Sequence, residues 1–235
     1  RMVIKNFLLA ADRGLGNGET PIFPVSIFKV KEGVNYNKED KNYDLFRLAC
    51  QVSAKRLFPN FAFIDAPFNL AFYKEGDVNT EVSYMGCRTR VVADVTSPDN
   101  QIVTGRGNLS FTTINLPRLG IKYGIALGER DKADMKGFYE ELGEIIDKVR
   151  DQLLERFEVQ CNKRCYNFPF LLGQGVWTNG EKLKPTDRLR KVWKHGSLST
   201  GFIGLAECLK ALTGKHHEED PKSQKLGIEI IKFMR

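Results

Sequence analysis

The chain has 235 residues, 42% of them hydrophobic and 28% charged, enough apolar material to bury a core without disulfides or metals. Its 36 Lys and Arg exceed its 29 Asp and Glu, for a net charge of +7, which admits an anionic partner without demanding one. Five irregularly spaced cysteines argue against a secreted disulfide framework, and no apolar run reaches the length of a membrane helix or resembles a signal peptide, so a reduced, cytoplasmic setting is expected.

The first residues, RMVIKNFLLAADRG, have no start-like character, and the last, LGIEIIKFMR, stop on an unfinished amphipathic pattern. Both ends predict an excerpt of a longer protein. PVSIFKVK (24–31) predicts a strand with Val25, Ile27 and Val30 apolar. YDLFRLACQVSAKRLF (43–58) predicts a helix with Leu45, Leu48, Ala49 and Val52 on one face, stopped by Pro59. FAFID (61–65) predicts a short buried strand ending in a turn at Pro67.

Residues 81–118 carry strand signals. EVSYM and RVVADV flank Gly86-Cys87, TSPDNQ is a loop, and NLSFTTINLPR (108–118) is a β-prone run closed by Pro117. The remainder reads as helical. From Asp134 to Val159, Met135, Phe138, Leu142, Ile145, Val149 and Leu153 recur at three- and four-residue steps, with Asp131 and Asp134 as cap-type residues. SLSTGFIGLAECLKALTG (197–214) predicts a helix ending on Gly214, and DPKSQKLGIEIIKFM (220–234) another that opens with Pro221. Strands mixed with long helices make the fold class α/β.

Among candidate chemical groups, Cys161 and Cys165 form a CxxxC pair with no further ligands at metal-site spacing. Cys50 and Cys208 fall within helical patterns and are expected to be buried thiols. Cys87 differs. Gly86 before it permits a sharp bend, and Arg88 and Arg90 after it are cations of the kind that lower a thiol pKa or hold an anion. No histidine is an obvious base for a cysteine nucleophile. His216 and His217 lie in the charged run GKHHEEDP, and His195 is expected to hydrogen-bond at the start of a helix. RGLGNGE (13–19) and TGRGNLS (104–110) lack the spacing of nucleotide-binding glycine loops. EKLKPTDRLRKVWKH (181–195) holds six Lys and Arg against two acids, a solvated basic face or a phosphate-facing one.

Several stretches together resemble one family. YMGCRTRV (84–91), GRGNLSFTTINLPRLGI (105–121), PFLLGQGVW (169–177), KLKPTDRLRKVWKHGSLSTGFIGLAECLKALTGKHH (182–217) and QKLGIEIIKFMR (224–235) look like the anaerobic, class III ribonucleoside-triphosphate reductases, and PIFPVSIFKVKEGVN and NYDLFRLA fit too. The resemblance implies a large catalytic subunit whose ten-stranded α/β barrel, of the glycyl-radical enzyme type, is threaded by a finger loop. Residues 1–235 would then be the central portion of that barrel, with the finger loop at about 81–95. The N-terminal regulatory domain and the C-terminal glycyl-radical and zinc regions would lie outside the chain.

The same resemblance maps the thiyl-radical cysteine onto Cys87 of Gly86-Cys87-Arg88, and a substrate-side asparagine onto Asn108 of GRGN, 21 residues later, as in the formate-using branch. It implies reduction of ribonucleoside triphosphates, with Cys87 abstracting the ribose 3′ hydrogen. It further implies a glycyl radical on a residue outside this chain, formate as reductant, and ATP, dATP and other deoxynucleotides as effectors. Structural zinc in the missing C-terminal region, a radical-SAM activating enzyme and a homodimer complete the implied set, without nucleic-acid or membrane partners. The excerpt alone is expected to be inactive. The arginines beside Cys87 then become scaffolding rather than thiolate stabilisers. Two alternatives stand beside this reading: another glycyl-radical enzyme acting on a small acid or diol, and a basic nucleic-acid-binding module using the 181–195 segment.

Overall fold

A computed structural model describes residues 1–86 and 88–235. It divides into two compact units, Arg1–Gly107 and Asn108–Arg235. The mixture of helices and small sheets is the α/β class expected from the sequence.

The first unit is built on a strand–helix–strand element. β1 (Ile27–Val30) and β2 (Asn60–Phe63) pair in parallel, with Ile27 opposite Asn60 and Val30 opposite Phe63. Parallel neighbours cannot be joined by a tight turn, and α2 (Tyr43–Arg56) supplies the crossover. It ends with Leu57 in the left-handed conformation at φ 62°, just ahead of the Pro59 stop signal. Alternation along the strands sends Phe28 and Val30 to one face, where they bury with Leu8 and Ala11 of α1 (Met2–Arg13) and with Leu45, Ala49 and Val52 of α2. Each of the Phe, Val and Leu side chains among them contributes about 1.5–3 kcal/mol. Residues 2–13, unassigned from the sequence pattern, form α1, which turns Leu8 and Ala11 into the core against α2.

The opposite face of β1–β2 receives the next stretch of the chain. Ile27, Ala62 and Ile64 pack there with Val82, Tyr84 and Val92, and Lys29 reaches Glu81 at 2.6 Å. After α3 (Pro67–Leu70), β3 (Ser83–Met85) and β4 (Thr89–Val91) pair antiparallel, with Tyr84 opposite Arg90 and Met85 opposite Thr89. Pro67, expected in a turn, occupies the first turn of α3 instead, a position where its missing N–H costs nothing.

In the second unit β5 (Asn108–Asn115) pairs in parallel with β6 (Ser197–Ile203), and between them run α4 (Leu116–Tyr123), α5 (Met135–Cys161) and the short α6 (Arg190–Trp193). α7 (Leu205–Thr213) and α8 (Pro221–Met234) follow. The core joins Ile114 of β5, Leu116 and Leu119 of α4, Phe138, Leu142, Val149 and Leu153 of α5, Cys208, Leu209 and Leu212 of α7, and Ile230 of α8. The α5 residues are among those its sequence spacing predicts.

The structure corrects four further expectations. Residues 197–203 are strand, not the first half of a helix. Thr200, Phe202 and Ile203 suit a strand, Gly201 weakens a helix, and Gly204 at φ 73° separates β6 from α7. His195 therefore precedes a strand rather than a helix, and it is buried. Cys50 is exposed, because α2 turns its Ala49 face inward and leaves the next position toward water. Pro117, read as the close of a strand, in fact opens α4, whose first turn is capped by the Asn115 side chain accepting from the Arg118 N–H.

Candidate functional site

Cys87 lies outside the described residues; its neighbours Gly86 and Arg88 are described. Gly86 has φ 52° and Arg88 φ 94°. Both are left-handed, a conformation that is easy for glycine and uncommon for arginine. The strand leading out is tied down by one buried amide. Asn69 of α3 is 4% exposed. Its Nδ2 donates to the Phe63 carbonyl at 2.7 Å, and its Oδ1 accepts from Arg90 Nη1 at 2.9 Å. Burial pushes the Tyr84 phenol up from its ordinary value despite the opposing pull of Arg90. The Arg90 guanidinium further donates to the Phe68 carbonyl and lies 4.9 Å from the centre of the Phe68 ring, a cation–π distance. Arg90 is thus committed to scaffolding contacts. Arg88 is exposed.

Downstream of β4 a second clamp closes the segment 93–106. Asp94 and Arg106 have side chains only 6% and 9% exposed and approach to 3.9 Å. Arg106 also donates to the carbonyls of Ala93 at 2.6 Å and Ile102 at 3.0 Å. Burial pulls the Arg106 guanidinium below its usual value, and the Asp94 charge opposes that. Asp94 Oδ1 accepts from the Thr96 N–H and hydroxyl, and the Gln101 side chain bridges the Asp94 backbone to the Ser97 and Pro98 carbonyls. In the GRGN motif, then, Arg106 is structural.

Asn108 opens β5 and is exposed. Its partner across the ladder is Ser197, the first residue of β6, whose hydroxyl donates to the Asn108 Oδ1. A register irregularity comes at once: Asn108 faces Ser197, while Ser110 faces Leu198. Such an offset re-aims a side chain relative to a regular ladder. The strand is stitched to α5 by three polar residues at four-residue steps, which share one helix face. Gln152 accepts from the Thr112 hydroxyl at 3.0 Å, Arg156 donates to the Phe111 carbonyl at 3.2 Å, and Gln160 donates to the Leu109 carbonyl at 3.0 Å. The result is an exposed, uncharged amide–hydroxyl pair, suited to bonding a sugar hydroxyl or a small carboxylate without adding charge.

Neither Asn69 nor Ser197 stands out in the sequence. Asn69 looks like an ordinary turn asparagine, and the residue pattern places Ser197 in a helix. The available signal for Ser197 is the strand-favouring composition of 197–203. The other candidates stay apart from this chemistry. Cys161 and Cys165 are buried beside Trp177 and Trp193 at the end of α5. Cys208 is fully buried, which pushes its thiol up to about 12. No cluster of three or more His, Cys, Asp or Glu side chains that could hold a metal occurs among the described residues. His216 lies 3.6 Å from Glu219. In the 181–195 segment Arg190 pairs with Glu158 and Arg188 donates to Asn162, while Lys191 and Lys194 line an open depression with them. Among the described residues no helix is long and apolar enough to cross a membrane.

Residues 1–235 match the protein family described as anaerobic ribonucleoside-triphosphate reductase. Curated proteins of that name are similar to the chain. The one from Enterobacteria phage T4 is 35% identical over 92% of the chain, and the one from Haemophilus influenzae is 31% identical over all of it. The Escherichia coli protein is 29% identical, again over all of the chain. The chain spans about a third of the length of these relatives, 34% of the phage protein and 31% of each bacterial one.

Proposed function

The chain belongs to the anaerobic ribonucleoside-triphosphate reductase family, and from that premise we propose that it is the central portion of a large catalytic subunit that reduces ribonucleoside triphosphates to deoxyribonucleoside triphosphates by radical chemistry. The observation that carries the reading is the family match along all of residues 1–235, with the Gly86-Cys87-Arg88 and GRGN motifs inside it. Cys87 is the hydrogen-abstracting residue. As a thiyl radical it takes the ribose 3′ hydrogen, forming an S–H bond and leaving the sugar radical, and it returns the hydrogen at the end of the cycle. Asn108, with Ser197 beside it, holds a substrate hydroxyl or formate.

The wider assembly accords with the same reading. The strands here belong to a ten-stranded barrel, and the parallel pairs β1–β2 and β5–β6, each backed by helices, support it, since parallel sheets are normally covered on both faces. The β3–β4 hairpin falls within the 81–95 finger loop. The radical is stored on a glycine outside the chain and is installed by a radical-SAM activating enzyme. Formate is the reductant, and ATP, dATP and other deoxynucleotides act through a regulatory domain outside this segment. A C-terminal zinc site and a homodimer in the cytoplasm complete the enzyme. The segment by itself, without a radical source, does not turn over.

The test uses the complete, activated enzyme. Cys87→Ala abolishes deoxynucleotide formation while the glycyl-radical signal in electron paramagnetic resonance keeps its amplitude. Turnover near the unsubstituted rate would reject the radical role of Cys87. Replacing nucleotides by small acids or diols as substrates separates this reading from that of another glycyl-radical enzyme.

A further inference from the structure

Resting on the reading of Cys87 as the hydrogen-abstracting residue, we propose that Asn69 is a positioning residue that fixes the β3–β4 hairpin, with Arg90 as its second half. The hairpin needs an external anchor. It has three residues per strand, and a two-stranded ribbon of that length is marginal by itself. Both residues next to Cys87 are left-handed, and among the described residues the ladder pairs run from Ser83–Val91 to Met85–Thr89.

Asn69 is the point where three elements meet. One amide, on α3, donates to the carbonyl of Phe63 at the end of β2 and accepts from the Arg90 guanidinium of β4. Tyr84 and Arg90 are cross-strand partners, one pair back from the turn. A single side chain therefore holds the outgoing strand of the hairpin at that level and ties it to β2, and the ladder carries the hold to Tyr84. The Phe68 ring under the guanidinium fixes its plane.

Only an amide fits this junction. It needs a donor for the Phe63 carbonyl and an acceptor for Arg90 on the same planar group. Asp would set a carboxylate against that carbonyl. Leu would leave the carbonyl without its Asn69 donor and the guanidinium without its planar acceptor. Hydrogen-atom transfer depends steeply on the distance between donor and acceptor, and a misplacement of about 1 Å can cost on the order of 100-fold in rate. Asn69 touches no reacting atom in this scheme. It acts through the hairpin.

The experiment uses the complete, activated enzyme with Asn69→Leu, Arg90→Ala and Arg90→Lys, and Cys87→Ala as the control for the functional reading. Asn69→Leu is expected to lower kcat by about 10- to 100-fold with KM for the nucleotide within about twofold and the glycyl-radical amplitude unchanged. Arg90→Ala is expected to lower kcat similarly and to regain part of it on addition of guanidinium ion, with Arg90→Lys in between. The exposed Arg90 variants keep the test open should Asn69→Leu fold poorly. Unchanged kcat in Arg90→Ala overturns the proposal, as does a loss of kcat in step with radical amplitude. Turnover by Cys87→Ala would instead remove the functional reading, and the two failures are distinguishable.

Discussion

Two glycine-to-alanine changes in the second unit should move stability in opposite directions. Gly120 lies inside α4 where α7 crosses it. A Cβ there would sit 2.8 Å from the Cys208 carbonyl oxygen, 2.9 Å from its Cα and 3.1 Å from its Sγ. Favourable carbon contacts begin near about 3.5 Å, so the helices must part by roughly half an ångström. The obstacle is backbone, and no rotamer change relieves it. The movement loosens Leu119, Cys208 and Leu209, all at most 1% exposed. Overpacking of this kind costs about 1–3 kcal/mol, and the lost dispersion adds to it, against a gain of about 1 kcal/mol from replacing a helical glycine. Gly143, inside α5, is the control: its Cβ would meet only Phe233 Cζ at 3.7 Å, an ordinary contact. Gly143→Ala should therefore stabilise by about 1 kcal/mol, and Gly120→Ala should destabilise by about 1–2 kcal/mol. Urea unfolding tracked by circular dichroism and tryptophan fluorescence reads both midpoints. Shifts of the same sign would refute the reasoning. The contact matters for the site because α4 follows β5 and α7 follows β6, so their close approach holds the register in which Asn108 meets Ser197.

Arg106→Leu should cost about 3–5 kcal/mol, since it leaves Asp94 buried without its cation, and should open 94–106 to limited proteolysis; resistance equal to the parent would count against the clamp. Cys208 keeps its proton to about pH 12 when folded, whereas an unfolded thiol loses it near about 8.5. The folded state therefore binds more protons above that pH, and stability falls as pH rises from about 8.5 toward 12. The stability gap between the parent and Cys208→Ala should narrow between about pH 8 and 11; parallel curves would refute this. Finally, if Arg90 is scaffolding, Arg90→Gln should leave the pH dependence of Cys87 alkylation by iodoacetamide in place, and a rise of about one unit in its midpoint would restore a thiolate-stabilising role.

What the sequence discloses depends on how local the cause is. The long helix α5 is legible because Phe138, Leu142, Val149 and Leu153 repeat on one face within a single segment. β6 is not, because Phe202, Leu205, Leu209 and Leu212 continue a helical spacing across Gly204, and strand character is decided by pairing with β5 about ninety residues earlier. Pro117 misleads for a related reason: proline closes a strand and opens a helix equally well, and the Asn115 cap makes the choice. The motifs around Cys87 and Asn108 are contiguous and so can be recognised. Asn69 meets Arg90 and Ser197 meets Asn108 across longer stretches of chain, and their neighbours in sequence carry no trace of it.

The commitment of Arg90 bears on which chemistry suits Cys87. A cysteine nucleophile gains from cations that favour its thiolate. A cysteine that exchanges a hydrogen atom does not, because the thiolate has no hydrogen to give back at the end of the cycle. For such a residue the useful contributions from neighbours are placement and exclusion of water. The observed contacts are of the first of these kinds: the Arg90 guanidinium is taken up by Asn69, the Phe68 carbonyl and the Phe68 ring, and Arg106 by Asp94 and two backbone carbonyls. Two cations of the motif region are thus occupied in holding the chain in shape. The same holds at Asn108, where the pair with Ser197 is neutral. The engagement of Arg90 in scaffolding contacts supports the one-electron reading over the nucleophilic one that the bare sequence of two arginines behind a cysteine first suggests.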